Sequence, residues 1–332
     1  MMGSVIKKTM AVFSSGSLSL GMGHIMRTLV IAEKLKNIFS IYYIRENGEE
    51  YKTGADELKK RGYKVYTENM DTSADLLLLD SYNVTENTLR RLREKYKKLV
   101  YIDDLCKLSF YDCDMVINKN LGAESLIYNT PDNCETLLGP LYALLRDEFQ
   151  KASSHDVSED IKNILITMGG TDPKNTSVKV LNIVKNTSFN FNVALSPGFS
   201  DKTKYALKKL SKENRNITLF ENPKMAELIS KCDMAITAGG GTTHEIASLG
   251  VPQIMITVAE NQFSPLSFGE DNGLYIYGGK ENELNTNKFL SLFNSLAKDF
   301  DRRKKLSESQ KNTINKNGAD LVAEKIKKLI LL

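Results

Sequence analysis

The sequence predicts an α/β protein with two doubly wound domains that face each other across a cleft. Short apolar runs alternate with amphipathic helical stretches, which is the pattern of parallel sheets with crossover helices. The pattern occurs in each half of the chain, and the polar, aperiodic segment 149–162 separates the two occurrences. The length of 332 residues suits two domains of roughly 100–200 residues each.

Residues 1–155 are predicted to form an amino-terminal Rossmann-like domain. Its strands read TMAVFS, SIYYI, YKVY, DLLLLD, KLVYID and DMVIN. After the first strand, apolar side chains recur on one face of a helix at Ile25, Leu29, Ala32 and Leu35. The segment TENTLRRLREKY has the same amphipathic periodicity.

Residues 156–332 are predicted to form a second Rossmann-like domain. Its strands read NILITM, FNVALS, ITLF and MAIT, with helical stretches between them. The last fifty residues, from NKFLSLFNSLAKDFDRRKKLSESQ onward, have a helical pattern throughout.

Composition excludes several classes of protein. Hydrophobic residues make up 41% and charged residues 26% of the chain, which is typical of a globular protein. A net charge of +4 is too small to indicate nucleic acid or a membrane surface as partner, and it suits an anionic small molecule. The four cysteines form no CxxC pair, and no apolar run reaches the roughly 18 residues of a membrane span. We therefore expect a cytoplasmic protein without integral membrane association, a metal or a cofactor.

Polar or glycine-rich clusters follow the predicted strands, where open parallel sheets bind their ligands. The clusters are Gly21-Met22-Gly23-His24, Asp80-Ser81-Tyr82, Asp103-Asp104, Gly169-Gly170-Thr171-Asp172 and Gly239-Gly240-Gly241-Thr242-Thr243-His244-Glu245. We expect these clusters to converge on one cleft.

The last of these clusters has two interpretations. Glycines at the start of a helix let backbone N–H groups bind an anion such as a diphosphate, and Glu245 could accept hydrogen bonds from ribose hydroxyls. Alternatively, Thr242 and Glu245 form a capping box that closes the helix start.

The other glycine clusters also leave alternatives. Gly169 to Pro173 can be a tight turn with Asp172 as a cap and Pro173 as the first helical residue. The Gly21-x-Gly23 pair is a poor dinucleotide fingerprint because Met26 stands where the third small residue belongs. A Rossmann dehydrogenase and a P-loop nucleotidase are therefore disfavoured.

His24 is the candidate catalytic base, with a structural histidine as the alternative. It stands beside two glycines at the predicted start of a helix. The positive end of the helix dipole disfavours the imidazolium form there. A neutral imidazole is what a general base needs.

Together the clusters resemble the UDP-sugar hydrolases of pseudaminic acid biosynthesis and their spore-coat polysaccharide relatives, which have the GT-B fold. The resemblance spans about residues 10–280 and is found in GMGHIMR, DSYNV, YIDDL, CDMVINKN, LLGPLYALLRDEF, ITMGGTDPKN, AGGGTTHEIASLGVP and AENQ. The family usually has Arg-x-Asp just after the first strand, whereas this chain has VFSSGSLSLGMG.

The resemblance implies a role for each matching residue. His24 is similar to the family's base, with Tyr82 and Asn261 as supporting catalytic residues. The substrate-binding residues expected beside them are Gly21, Gly23, Arg27 and Asp80 in the first half, and Gly170, Thr171, Asp172, Gly240, Gly241, Thr242, Thr243, Glu245 and Gln262 in the second. The first domain would then hold the base and the sugar, and the second would bind the nucleotide.

The implied reaction is hydrolysis of a UDP-linked 2,4-diacetamido-2,4,6-trideoxy hexose to free sugar and UDP. Water would be the nucleophile at C1, His24 the general base and UDP-sugar the partner of a monomeric, metal-independent enzyme. The alternatives are an inverting UDP-sugar glycosyltransferase of cell-surface glycan synthesis, and a non-enzymatic sugar-nucleotide sensor.

Overall fold

The computed structural model describes residues 7–17, 21–258 and 273–331, and the chain divides into two units. Unit 1 contains the residues up to Leu144 and those from Asn317 onward, and unit 2 contains Leu145–Lys316. Each unit has its own sheet, in which all strand pairs are parallel. The predicted α/β class with two parallel-sheet domains is confirmed.

Unit 1 is organised around a seven-stranded sheet. Its strands are β1 (Lys8–Ser14), β2 (Phe39–Arg45), β3 (Lys64–Thr67), β4 (Leu76–Asp80), β5 (Lys98–Ile102), β6 (Met115–Asn118) and β7 (Glu135–Leu138). Helices α1 (Gly23–Leu35), α2 (Lys52–Lys60) and α3 (Glu86–Lys95) connect them. The spatial order is β3-β2-β1-β4-β5-β6-β7, so the strand order reverses between β1 and β4.

Unit 2 has a six-stranded sheet in the order β10-β9-β8-β11-β12-β13. Its strands are β8 (Asn163–Thr167), β9 (Asn190–Leu195), β10 (Ile217–Glu221), β11 (Met234–Ala238), β12 (Gln253–Thr257) and β13 (Ile276–Lys280). Its helices are α4 (Asp147–Lys151), α5 (Thr176–Val184), α6 (Asp201–Glu213), α7 (Met225–Ser230), α8 (Gly241–Leu249), α9 (Thr286–Lys298) and α10 (Phe300–Thr313). The reversal of strand order lies between β8 and β11.

The central strands are buried on both faces, which explains why the sequence predicted them well. All five residues of β4, LLLLD, are buried, and so are all five of β11, MAITA. Strands covered by helices on both sides read as continuous apolar runs. Every strand predicted from the sequence is present in the structure.

Three strands were not predicted. In β7 only Leu137 is buried, and β13, IYGGK, contains two glycines, which are poor strand formers. In β12 the polar Gln253 is fully buried, and its side chain donates to the carbonyls of Thr243 and Leu274. Such contacts between distant residues leave no local pattern in the sequence.

The structure differs from the predicted domain boundary in two ways. The carboxyl-terminal helical region ends in α11 (Gly318–Leu331), whose buried residues belong to the hydrophobic core of unit 1. Gly318 lets this helix approach Ala143, because a Cβ at residue 318 would lie 2.5 Å from the Ala143 nitrogen. At the other boundary, Phe149 of the predicted linker is fully buried. Arg303 also binds the carbonyls of Ser158 and Glu159, which ties that segment to unit 2.

We expect Ile326→Ala to lower the free energy of unfolding by about 2–5 kcal/mol, because a buried isoleucine leaves a cavity when it is truncated. Ile326 is fully buried in the core of unit 1. Leu331→Ala is the matched control, since Leu331 is 81% exposed and surface substitutions change stability by about 0.5 kcal/mol or less. Urea unfolding measures both, and equal midpoints would contradict the docking of α11.

Candidate active site

His24 lies in the first turn of α1, beside the reversal of strand order in unit 1. Its side chain is buried, and its Nδ1 lies 3.3 Å from Oδ1 of Asp80, the last residue of β4. The Tyr82 ring meets the imidazole edge to face, with 4.4 Å between ring centroids. A carboxylate opposite Nδ1 assigns the ring proton to that nitrogen and leaves Nε2 as the acceptor.

Arg27 links two carboxylates, those of Asp80 and Asp104. Its Nε and Nη2 donate to the two oxygens of Asp80 at 2.7 and 2.6 Å, and its Nη1 donates to both oxygens of Asp104 at 2.9 and 2.7 Å. Bidentate pairs of this kind hold a side chain in one orientation. Arg27 lies one helical turn after His24 on α1, so the pairing also sets where the imidazole lies.

The contacts close into a ring. The hydroxyl of Tyr82 donates to Oδ2 of Asp104 at 3.0 Å, and the ring of Tyr82 packs on His24. The sequence of contacts is His24, Asp80, Arg27, Asp104, Tyr82 and back to His24. We call these five residues the His24 ring. Each member is held by two others, so the imidazole is oriented from both sides.

Burial and the charges in the His24 ring explain the ionisation of Asp104 and Tyr82. Burial would raise the pKa of the Asp104 carboxyl, but the positive charges of Arg27 and Lys119 and the hydrogen bonds from Arg27 hold that pKa well below its usual range. Burial raises the pKa of Tyr82, and the negative charge of Asp104 adds to the effect. Asp104 is therefore a carboxylate and Tyr82 a neutral phenol at neutral pH.

The segment that departs from the family pattern also contributes to this region. Ser15, directly after β1, accepts a hydrogen bond from the backbone N–H of Glu46 at 2.9 Å. The Glu46 carboxylate accepts from Ser81 at 2.8 Å. The ends of β1, β2 and β4 are thus linked by polar contacts.

Two glycine loops flank the reversal of strand order in unit 2. Gly169, Gly170 and Thr171 follow β8, and Gly239 and Gly240 join β11 to α8. Gly240 has a φ of 123°, which favours glycine, and a Cβ at Gly240 or Gly241 would meet no described atom within 4 Å. Among the described residues, the start of α8 therefore leaves room for an anion, to which a helix N-terminus is attractive.

The capping-box interpretation of Thr242 and Glu245 is wrong. Helix α8 begins at Gly241 with Gly240 as its N-cap residue, so the N-cap residue has no side chain with which to cap the helix. Thr242 already lies inside the helix, while Thr243 donates to the Gly240 carbonyl at 2.6 Å. The carboxylate of Glu245 instead accepts from Nε of Arg146 at 3.0 Å, and the Arg146 Nη2 lies 3.0 Å from the same oxygen as an ion pair.

The surroundings of Glu245 affect its ionisation. Burial raises the pKa of the Glu245 carboxyl, and the charge and hydrogen bonds of Arg146 oppose this effect. Arg146 also contacts Glu148 at 2.7 Å and lies over the Phe149 ring. The arginine is thus shared between two carboxylates.

Asp172 has a different position from the one expected for a cap followed by a helical proline. Its carboxylate accepts from the backbone N–H groups of Thr176 and Ser177 at 2.7 and 3.0 Å, so it caps α5 from before Pro173. The proline lies outside the helix, which begins at Thr176. Asp172 itself has a φ of 41° and is 2% exposed.

The structure brings His24, Arg27, Asp80 and Tyr82 together in unit 1, with Gly21 and Gly23 preceding His24 on the chain. Gly170, Thr171, Asp172 and the 240–245 segment all lie in unit 2. Asn261 and Gln262 lie outside the described residues. Their roles, and the substrate contacts of the others, stay predictions.

Sequence reasoning missed several members of these clusters. Asp104 was noted only as part of an acidic pair, and Lys119, Asn120 and Arg146 were not singled out. Lys119 and Asn120 directly follow β6, which is the one signal that could have found them. Arg146 stands 99 residues before Glu245, and no sequence pattern joins the two.

Among residues 7–17, 21–258 and 273–331, no group of three or more His, Cys, Asp or Glu side chains is placed to hold a metal ion. No helix within those ranges is long and apolar enough to cross a membrane.

Residues 163–326 match the family model of the glycosyltransferase family 28 C-terminal domain. An uncharacterized protein of Methanocaldococcus jannaschii is 32% identical over 275 residues, which cover 76% of this chain but only 56% of that relative. The UDP-2,4-diacetamido-2,4,6-trideoxy-beta-L-altropyranose hydrolase of Campylobacter jejuni is 26% identical over 258 residues, covering 76% of this chain and 92% of the hydrolase. The spore coat polysaccharide biosynthesis protein SpsG of Bacillus subtilis is 26% identical over 279 residues, covering 79% of this chain and 81% of SpsG.

Solved structures agree with the fold. MurG of Acinetobacter baumannii superposes with a TM-score of 0.67 at 14% identity, over 96% of this chain and 99% of MurG. The calicheamicin glycosyltransferase CalG4 gives a TM-score of 0.64 at 13% identity, over 97% and 98% of the two chains. The likeness shows that the two units have the architecture of GT-B proteins.

We expect Arg27→Met to lower the free energy of unfolding at pH 7 by about 3–5 kcal/mol, because it removes the guanidinium that pairs with both the buried Asp80 and Asp104. The control is Arg61→Met. Arg61 pairs with Glu57, one helical turn away, and both side chains are partly exposed, so this variant should lower the free energy of unfolding by only about 0.3–0.5 kcal/mol.

The same variant tests the charge of Asp104. A carboxyl whose pKa is lowered by folding stabilises the protein above its ordinary pKa, and that stabilisation is lost as the pH falls toward the lowered value. The difference between wild type and Arg27→Met should therefore shrink below about pH 4. Urea unfolding at pH 7 and pH 3 measures it, and a constant difference would contradict the assignment.

Proposed function

Because the chain has the GT-B fold and is homologous to proteins named as UDP-sugar hydrolases and as a spore-coat polysaccharide biosynthesis protein, we propose that it hydrolyses a UDP-linked sugar. The finer proposal is a 2,4-diacetamido-2,4,6-trideoxy hexose as the sugar, released together with UDP during pseudaminic acid biosynthesis. The observation that carries it is the buried pair of His24 and Asp80 at the reversal of strand order in unit 1.

His24 acts as the general base in this proposal. Its Nε2 takes a proton from water while the water oxygen bonds to C1 of the sugar, and the bond between C1 and the UDP oxygen breaks. Asp80 keeps the proton on Nδ1 and stabilises the imidazolium that forms, as the carboxylate does in other His–Asp pairs. A well-placed general base contributes about 10²–10⁴-fold to the rate.

Tyr82 and Arg27 are positioning residues in this scheme. The phenol of Tyr82 is held by Asp104 and its ring lies against the imidazole. Asp80 is fully buried and is bound by two nitrogens of Arg27, so the guanidinium keeps Asp80 in place for Nδ1. Rigid placement of the base is a large part of what an enzyme contributes.

Unit 2 binds the nucleotide in this proposal. The backbone N–H groups at the start of α8 and in the loop after β8 receive the diphosphate, and Glu245 accepts hydrogen bonds from the ribose hydroxyls. Stabilising the negative charge that develops on UDP lowers the barrier without requiring a metal ion. The cysteines are all free thiols, which fits a reducing compartment such as the cytoplasm.

An inverting glycosyltransferase is the second candidate, because the same base can deprotonate a sugar hydroxyl instead of water. The direct experiment incubates the protein with UDP-sugars and no acceptor, in the presence of a chelator, and follows UDP release. Turnover supports the hydrolase. Turnover only after an acceptor is added would favour the transferase, and dependence on added magnesium would contradict the metal-independent scheme.

We expect His24→Asn to lower kcat by about 10²-fold or more and to leave the Kd for UDP near that of wild type. The control is His155→Asn, which should keep its activity because His155 belongs to unit 2 and is part of neither the His24 ring nor the glycine loops. The wild-type rate should fall on acidification, since an imidazolium cannot accept a proton, and the variant should lack that fall. A folded His24→Asn variant with most of its activity would show that His24 is structural.

We expect Glu245→Gln to weaken UDP binding by about ten- to a hundredfold, the effect of losing hydrogen bonds to a charged group. Glu148→Gln is the control, because Glu148 contacts the same arginine and should leave UDP affinity unchanged. Because burial raises the pKa of Glu245, UDP affinity should begin to fall at a higher pH than for an ordinary glutamate. Calorimetric titration at several pH values checks both, and equal affinities for the two variants would contradict the ribose role.

A further inference from the structure

Lys119 is a buried lysine beside the His24 ring, and it has no role in the proposed reaction. It directly follows β6, whose neighbour in the sheet is β5, the strand that leads into Asp104. Its side chain is 8% exposed. A buried ammonium is costly unless its hydrogen-bond donors and its charge are matched.

Few described groups accept a hydrogen bond from the ammonium of Lys119 or pair with its charge. It donates to Oδ1 of Asn120 at 3.2 Å, and its nearest carboxylate oxygen, Oδ1 of Asp104, lies 4.0 Å away, beyond hydrogen-bond distance. A lysine ammonium carries three N–H donors. Within the described part of the chain, two of these donors therefore lack a hydrogen-bond acceptor.

Asp104 cannot take up these donors without giving up others. Its Oδ1 accepts from Arg27 and Asn120, and its Oδ2 accepts from Arg27 and Tyr82. The four lone-pair sites of a carboxylate are thereby used. Lys119 is also not needed to pair with Asp104, because Arg27 already does so at 2.7 Å. Burial lowers the pKa of Lys119, against the charge of Asp104, as expected for an ammonium short of partners.

We propose that Lys119 recognises an amide carbonyl oxygen of the sugar, and so selects sugars whose amino group is acylated. The inference rests on the proposed function, which places the sugar beside the His24 ring. A neutral carbonyl supplies the acceptor that the buried ammonium lacks. A free amino group is an ammonium at neutral pH, so it offers no acceptor to Lys119 and would be repelled by the Lys119 ammonium. Lys119 is thus a specificity-determining residue.

The experiment measures binding in a His24→Asn background, so that the sugar nucleotide stays intact. Three ligands are titrated calorimetrically: the UDP-linked 2,4-diacetamido sugar, the same compound with a free 4-amino group, and UDP. Lys119→Met removes the ammonium, Lys119→Arg keeps the charge, and Lys97→Met changes a lysine whose side chain is 79% exposed.

Lys119→Met should weaken binding of the diacetamido compound by about ten- to a hundredfold and should abolish its preference over the amino compound. Lys119→Arg should retain part of that preference, and Lys97→Met all of it. The affinity for UDP should not change. Unchanged binding of the diacetamido compound by a folded Lys119→Met variant would overturn the inference. Tighter binding of the amino compound than of the diacetamido compound by the His24→Asn parent would overturn it as well.

The two proposals fail in different ways. If no UDP-sugar is hydrolysed, the hydrolase proposal fails. The titration still shows whether Lys119 makes binding depend on the acyl group. If hydrolysis occurs but Lys119→Met binds like the parent, only the role of Lys119 fails. A melting curve is recorded for each variant. If Lys119→Met does not fold, Lys119→Gln is used in its place, and its binding of the diacetamido and amino compounds is compared in the same way.

Discussion

Arg27 brings one buried positive charge between two carboxylates, the fully buried Asp80 at the end of β4 and Asp104 just beyond β5, whose side chain is 9% exposed. The guanidinium compensates their negative charges in a region with little contact with water. The pairing therefore sets the position of the first turn of α1 relative to two strands of the sheet. Because His24 lies on that turn, the orientation of the imidazole follows from an electrostatic requirement of the fold.

The two units use the reversal of strand order differently. In unit 1 the charged and aromatic side chains of the His24 ring lie in this region. In unit 2 the corresponding region has glycine loops and the start of α8, where a Cβ at Gly240 or Gly241 would meet no described atom within 4 Å. One unit thus presents side chains for chemistry, and the other presents backbone N–H groups suited to an anion. The same topology supports both because it opens a crevice where the strand order reverses.

Local patterns predicted the parts of the structure that depend on local physics. Buried strands such as β4 read as apolar runs, and the residues after them, including His24, Asp80 and Tyr82, could be identified from their place in the chain. The pairing of Arg27 with Asp80 and Asp104 spans 53 and 77 residues, so no window of sequence contains it. The Thr242 and Glu245 pattern matched a capping box, but Arg146, 99 residues away, binds the glutamate. Tertiary charge pairing overrode the local motif.

The return of α11 to unit 1 makes unit 2 an insertion within the chain of unit 1. During synthesis, residues 145–316 emerge as one continuous segment and can fold as soon as they are complete. Unit 1 has to wait for its last helix. Until then α1, which packs against α11 in the hydrophobic core of unit 1, lacks part of its cover. The unit that carries His24 thus begins before unit 2 and is completed after it, and while its core lacks α11 the nascent chain exposes apolar surface that favours misfolding and chaperone binding.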